Sequence, residues 1–147
     1  MTIRFSAPAK INICLHVLKR RVDGLHQIDS LVIFLDCGEW VTVSKANRTE
    51  LNIIGPQAAK LPVSENNLIL RATRLFPARC TSKITLHKSM PVAAGIGGGS
   101  ADAAATLKAM SKIWQLPVPT VSNQLQLGAD VPVCMHSKPV LMQGVGE

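Results

Sequence analysis

Residues 91–107, PVAAGIGGGSADAAATL, place four glycines within five positions and run directly into alanines. Glycine loses more conformational entropy on folding than any other residue. A cluster of it at the start of a helix therefore serves a backbone geometry, or a close approach that a Cβ would block. Both point to a ligand. The stretch before it, KITLHKS from Lys83, alternates with Ile84 and Leu86 on one face and predicts a strand. The stretch after it, Ser100 to Trp114, holds no proline and can line Ala104, Leu107 and Ile113 along one side, which predicts the best helix of the chain. Strand, glycine loop and helix N-terminus in succession turn unpaired N–H groups and the positive end of a helix dipole toward one spot, where phosphate is the natural occupant.

The spacing excludes two familiar loops. GxxxxGK[ST] requires a lysine after its last glycine, and Ser100-Ala101 stands there; GxGxxG fits at Gly95 and Gly97 but meets Ser100 at its sixth position. A glycine turn that only reverses the chain is the alternative for an isolated GxG, and the hydroxyl and small-residue helix that follow favour phosphate over it.

Elsewhere the patterns are mixed. KINICLHVLK puts Lys10, Asn12, Cys14 and His16 on one face of a strand and Ile11, Ile13, Leu15 and Val17 on the other. VDG at 22–24 signals a turn, SLVIFLD from Ser30 a returning buried strand, and WVTVS at 40–44 and ELNII at 50–54 two short strands. Leu68, Ile69, Ala72, Leu75 and Phe76 recur at helical spacing behind an asparagine able to cap, predicting a helix over 67–76. Pro117 and Pro119 mark a connection, so one domain over residues 1–147 is expected.

The net charge of +7 suits an anionic partner without choosing among nucleotide, metabolite, nucleic acid and membrane surface. The excess sits in residues 1–90, with 13 Lys and Arg against 6 Asp and Glu; residues 91–147 carry three of each. The glycine loop therefore has to attract anions by backbone dipoles. Cys14, Cys37, Cys80 and Cys134 are scattered without a CxxC pair, reading as reduced thiols of a cytoplasmic protein and neither a metal site nor a disulfide framework. No charged leader or membrane-length apolar segment is read, and a membrane partner is not expected.

The glycine stretch resembles the phosphate-binding motif of the GHMP kinases. APAKINICLHVLKRRVDGLHQIDSLVIFLD at 7–36 and LGADVPVC at 127–134 narrow the resemblance to the branch of that family acting on a cytidyl-diphosphate-linked methylerythritol. The resemblance implies an α+β fold of the ribosomal protein S5 domain 2 type and a kinase using ATP and Mg²⁺. Its reaction would be phosphorylation of the 2-hydroxyl of 4-diphosphocytidyl-2-C-methyl-D-erythritol, a step in non-mevalonate isoprenoid precursor synthesis. It further implies that residues 1–147 are the N-terminal, ATP-binding domain of such an enzyme. A C-terminal domain that closes over the substrate would lie outside this chain, so the chain alone is expected to be inactive, with homodimerisation allowed.

Residue roles follow from the same resemblance. Lys10 and Asp130 match the catalytic pair, Asp130 taking the hydroxyl proton and Lys10 holding the carboxylate and easing ionisation of the alcohol. Taken alone, Lys10 reads as a solvated lysine and Asp130 as a turn former. Pro91, Val92, Ala93, Ala94, Gly95, Ile96, Gly97, Gly98, Gly99, Ser100 and Ala101 match the ATP-phosphate loop, with the Ser100 hydroxyl offered to a phosphate or to Mg²⁺. Asp102 is expected in the first helical turn, complementing the dipole, and no protein metal ligand is assigned. Asn12 shares the strand face of Lys10 and is assigned to substrate. Leu25 and His26 of DGLHQ match the cytosine-reading positions. The family commonly carries an aromatic where this chain has Leu25, so stacking worth about 1 kcal/mol is lost. His16, His87 and His136 receive no role. Two further readings stand beside this one: a homoserine- or mevalonate-type kinase, against which DGLHQ and GADVP speak, and an inactive or basic nucleic-acid-binding module of the same fold. The few aromatics and diffuse charge argue against a nucleic-acid partner.

Overall fold

The computed structural model describes residues 1–20, 22, 26–91 and 95–146. β1 (Thr2–Arg20) and β2 (His26–Lys45) form one long antiparallel ladder, running from Thr2 opposite Ser44 to Arg20 opposite His26. β2 is a single strand where two were expected, and the ladder shifts register between Pro8 and Lys10, Asn12 and Cys14, and Val17 and Lys19. Gly38 stands at the first of these irregularities. A Cβ there would lie 2.3 Å from the Ala7 carbonyl oxygen, so only glycine lets the two strands pass so closely.

β3 (Glu50–Ile54) and β4 (Ser82–His87) pair in parallel, connected by α1 (Leu68–Thr73), and β4 joins β2 antiparallel, giving the order β1-β2-β4-β3. The side chain of Asn67 accepts from the Ile69 N–H, the cap its position predicts, although the regular helix stops at Thr73 and leaves Phe76 in a following turn. α2 (Gly98–Trp114) starts two residues before the expected Ser100. α3 (Val121–Leu125), α4 (Val131–His136) and β5 (Val140–Gly146) follow, and β5 pairs with the first half of β2. These last three elements are too short, or too weakly patterned, to be legible as periodicity.

The core lies between one face of the sheet and the helices. Val41, Val43, Ile84 and Leu86 point from β2 and β4 onto Leu107, Met110 and Ile113 of α2, all buried. The alanines Ala101, Ala103, Ala104, Ala105 and Ala109 are buried as well, so α2 is enclosed on nearly every side, as an apolar helix must be. Small side chains let it sit close to its neighbours at little rotamer cost.

The strand read from KINICLHVLK is correct, but its apolar face is not the core face. Ile13, Leu15 and Val17 are 58%, 51% and 60% exposed, while Lys10 is buried at 4%. α2 packs on β1, whose side chains are exposed throughout from Ile13 to Arg20. Alternation reports a strand; a second layer decides which face is dry. Among the described residues, no helix is long and apolar enough to cross a membrane.

Candidate active site

The centre of the site is the crossing of β1 with the glycine loop. The Lys10 N–H donates to the Ile96 carbonyl at 3.0 Å, tying the strand to the loop. Gly97 caps α2 in the left-handed region at φ 64°, without a side-chain cap bond. A Cβ on it would stand 3.0 Å from Lys10 Cε and 3.1 Å from Lys10 Cβ. Gly97 thus satisfies both reasons for a loop glycine, a conformation other residues avoid and an approach that a methyl group would block. The first-turn N–H groups at Gly98, Gly99 and Ser100 are those a helix leaves without intrahelical acceptors, and these three residues line the cleft.

Held against the loop, the Lys10 ammonium donates to Asn12 Oδ1 at 2.8 Å and meets Asp130 Oδ2 at 2.9 Å. Asp130 immediately precedes α4 but does not cap it, which leaves its carboxylate to Lys10. The lysine side chain is 5% exposed and the aspartate 30%, so the pair is anchored inside and open at the carboxylate. Its two members come from opposite ends of the chain, and the turn carrying Asp130 is placed beside the loop, with Gly128 facing the Ser100 hydroxyl. Cys134 lies beneath the pair. Burial, then the Asp130 charge, pushes its thiol up to about 12, so it is no nucleophile at neutral pH.

The glycine loop forms one wall of a cleft of about 490 Å³. The opposite wall is Leu61, Pro62, Asn66, Asn67 and Leu68, from the segment leading into α1. Residue patterns assign this segment a helix cap but no part in a site. Gly95, Ile96 and Ser100 line the cleft, and Pro91 stands at its edge, whereas Ala101 is turned into the core at 2% exposure. Val92, Ala93, Ala94 and Leu25 lie outside the described residues. His26 opens β2 opposite Arg20 and Gly146, at the far end of the ladder from the Lys10–Asp130 pair, and its side chain is outside the described part.

Asp102 departs from its expected place. The early start of α2 carries it past the first turn and onto a buried face at 2% exposure, where its carboxylate lies 3.5 Å from the Lys88 ammonium. Burial raises its pKa well above the ordinary 3.8, the nearby Glu39 carboxylate adds to the rise, and Lys88 opposes it. A carboxyl raised in the folded state contributes stability that is complete below pH 3.8 and is lost as pH climbs through the raised native value. Asp102→Asn cannot ionise, so its Tm is expected to gain on the wild type from pH 5 to pH 8. A Tm difference constant across that range would show that Asp102 stays charged throughout.

The lining of the cleft has the features that suit a phosphate group. Helix N–H groups and a glycine floor suit phosphates. Among the described residues no three His, Cys, Asp or Glu side chains gather to hold a metal ion. Ser100, which lines the cleft at the start of α2, is the residue whose hydroxyl could reach a Mg²⁺ carried by phosphates.

Residues 67–139 match the family described as GHMP kinases N terminal domain. A protein of Cereibacter sphaeroides named 4-diphosphocytidyl-2-C-methyl-D-erythritol kinase is 55% identical over 141 residues, covering 96% of this chain and 50% of the relative. One of the same name from Ruegeria pomeroyi is 51% identical, covering the whole chain and 53% of the relative. The chain thus spans about half the length of the curated relatives it matches. A crystal structure of 4-(cytidine 5'-diphospho)-2C-methyl-D-erythritol kinase superposes with a TM-score of 0.77 at 31% identity, covering 99% of this chain and 53% of that one. Streptococcus pneumoniae phosphomevalonate kinase shares the fold with a TM-score of 0.68 at 13% identity. The architecture is the α+β, ribosomal protein S5 domain 2-like fold.

Proposed function

Because this chain belongs to the GHMP kinases as their N-terminal domain, we propose that it is the nucleotide-binding half of a kinase. Its reaction is transfer of a phosphoryl group from ATP to the 2-hydroxyl of 4-diphosphocytidyl-2-C-methyl-D-erythritol. The observation that carries this reading is the Lys10–Asp130 pair at 2.9 Å, fastened through Lys10 N–H and Ile96 O to the glycine loop. A hydroxyl held at Asp130 Oδ2 gives its proton to that carboxylate as its oxygen attacks phosphorus. Lys10 keeps the carboxylate ionised beforehand and offsets charge on the alcohol oxygen during transfer. Asn12 orients the ammonium, so its assigned contact with substrate runs through Lys10. The N–H groups of Gly98, Gly99 and Ser100 hold the phosphates, with Gly95, Ile96 and Pro91 shaping the cleft around them. ATP with Mg²⁺ supplies the transferred group and the cation that neutralises it. Leu25 and His26 take the cytosine side of the substrate. Four free cysteines, two of them exposed, accord with a cytoplasmic setting.

Positioning accounts for about 7 to 11 kcal/mol of a barrier in well-oriented reactions, and one domain holds the acceptor from one side only. The 147-residue chain is therefore expected to bind ATP more tightly than adenosine by calorimetry, yet to turn over far more slowly than the same chain joined to the remaining length of its relatives. That joined protein should phosphorylate the cytidyl-diphosphate substrate and leave homoserine and mevalonate untouched. Transfer to homoserine or mevalonate at a comparable kcat/KM would reassign the substrate; equal affinity for ATP and adenosine would remove the phosphate site.

A further inference from the structure

Beneath the glycine loop lies a second charged cluster that the transfer chemistry does not use. Glu39, Lys88 and Asp102 are 0%, 3% and 2% exposed. The Lys88 ammonium meets Glu39 Oε1 at 2.7 Å and Oε2 at 2.8 Å, and lies 3.5 Å from Asp102 Oδ2. Glu39 also accepts from the Met90 N–H at 3.2 Å. Lys88 and Met90 lead from β4 into the loop, and Asp102 stands just beyond it in α2, so the cluster joins the loop's entry to its exit. Its third member, Glu39, belongs to the neighbouring strand β2 and anchors the join to the sheet. The loop floor rests on it directly, for a Cβ on Gly98 would come within 3.3 Å of Lys88 Nζ.

A buried Lys88–Glu39 ion pair with a third carboxyl group beside it is costly to assemble. Removing two such charges from water is repaid only by close geometry, and an apolar replacement often serves stability as well or better. A buried triad beside a glycine loop is therefore better explained by what it holds in place than by what it adds to stability. The short contacts of the Lys88 ammonium both go to Glu39, with Asp102 Oδ2 farther off at 3.5 Å. Among the described residues Asp102 Oδ1 has no partner, so the cluster also keeps an unsatisfied acceptor beside the cleft that Asp102 and Lys88 line.

We propose that Glu39, Lys88 and Asp102 form a buried ionic clamp that closes the two stems of the glycine loop, with Lys88 as the positioning residue that presets the N–H groups of Gly98, Gly99 and Ser100 for phosphate. The consequence for phosphate rests on the nucleotide site proposed above; the clamp itself does not. A loop ordered before binding loses less entropy when the ligand arrives, and the gain falls on the charged part of the nucleotide.

Two variants of the 147-residue chain test it: Lys88→Met, and the uncharged triple Glu39→Gln, Lys88→Met, Asp102→Asn, which removes the penalty of stranded carboxylates. Hydrogen exchange without ligand is expected to be about tenfold faster at the hydrogen-bonded amides of Ala101 and Asp102 in whichever variant folds, while Val41, Val43 and Ile84 keep their protection. The preference for ATP over adenosine is expected to shrink about tenfold in the same variant. A purely structural cluster would instead change the Tm and leave both the local exchange and the ATP-to-adenosine ratio as they were. That outcome, or failure of both variants to fold, overturns the clamp. Absence of ATP binding by the wild type overturns the nucleotide site, and the exchange comparison still decides the clamp.

Discussion

Asp130→Asn, in a protein that joins residues 1–147 to the remaining length of the relatives, lowers phosphoryl transfer by about 10³-fold and leaves ATP affinity nearly unchanged. The amide has the shape of the carboxylate and can still accept from the Lys10 ammonium that now meets Asp130 Oδ2 at 2.9 Å. It cannot take a proton from an alcohol. Because Asp130 precedes α4 without capping it, the substitution removes no helix cap, and the loss should appear in kcat with little change in Tm. Single-turnover transfer within about tenfold of the wild type would exclude Asp130 as the base and leave Lys10 to act on an alcohol ionised by other means.

Gly97→Val strikes the site at its other fixed point. A β-branched residue at φ 64° is a backbone outlier, and its first carbon alone would stand 3.0 Å from Lys10 Cε. Something has to move. If the loop yields, the N–H groups of the first turn of α2 swing off the phosphates; if the lysine yields, its ammonium leaves Asn12 and Asp130. Either displacement, on the scale of 1 Å, costs about 10²-fold in transfer. Calorimetry distinguishes them, since the first lowers ATP affinity and the second spares it. A folded Gly97→Val protein with wild-type affinity and turnover would make the glycine a simple chain reversal.

Much of the molecule could be read before its shape was known, and the reason is locality. The strand ending at His87, the glycine loop and the helix to Trp114 follow from neighbouring residues, as does the Asn67 cap. Lys10, Asp130 and the loop were identified by motif, and the structure places the three together. The buried charges also leave a trace in the sequence. Lys88 continues the register of Ile84 and Leu86, and Glu39 that of Val41 and Val43, so period two places each charge on the same strand face as two apolar residues.

What the sequence determined by itself is the kind of the longer, strongly patterned segments and the glycine turn between β4 and α2, because backbone propensity and side-chain period act within a few residues. Only the tertiary structure decided which face of β1 stays wet, that α2 begins early enough to bury Asp102, that β5 returns to β2, and that the residues before α1 wall the cleft. It also decided the meeting of Lys10 with Asp130. Each of these outcomes depends on which surfaces pack together across long stretches of chain. That is settled by the total apolar area buried and by the pairing of charges far apart in sequence, which no local pattern encodes.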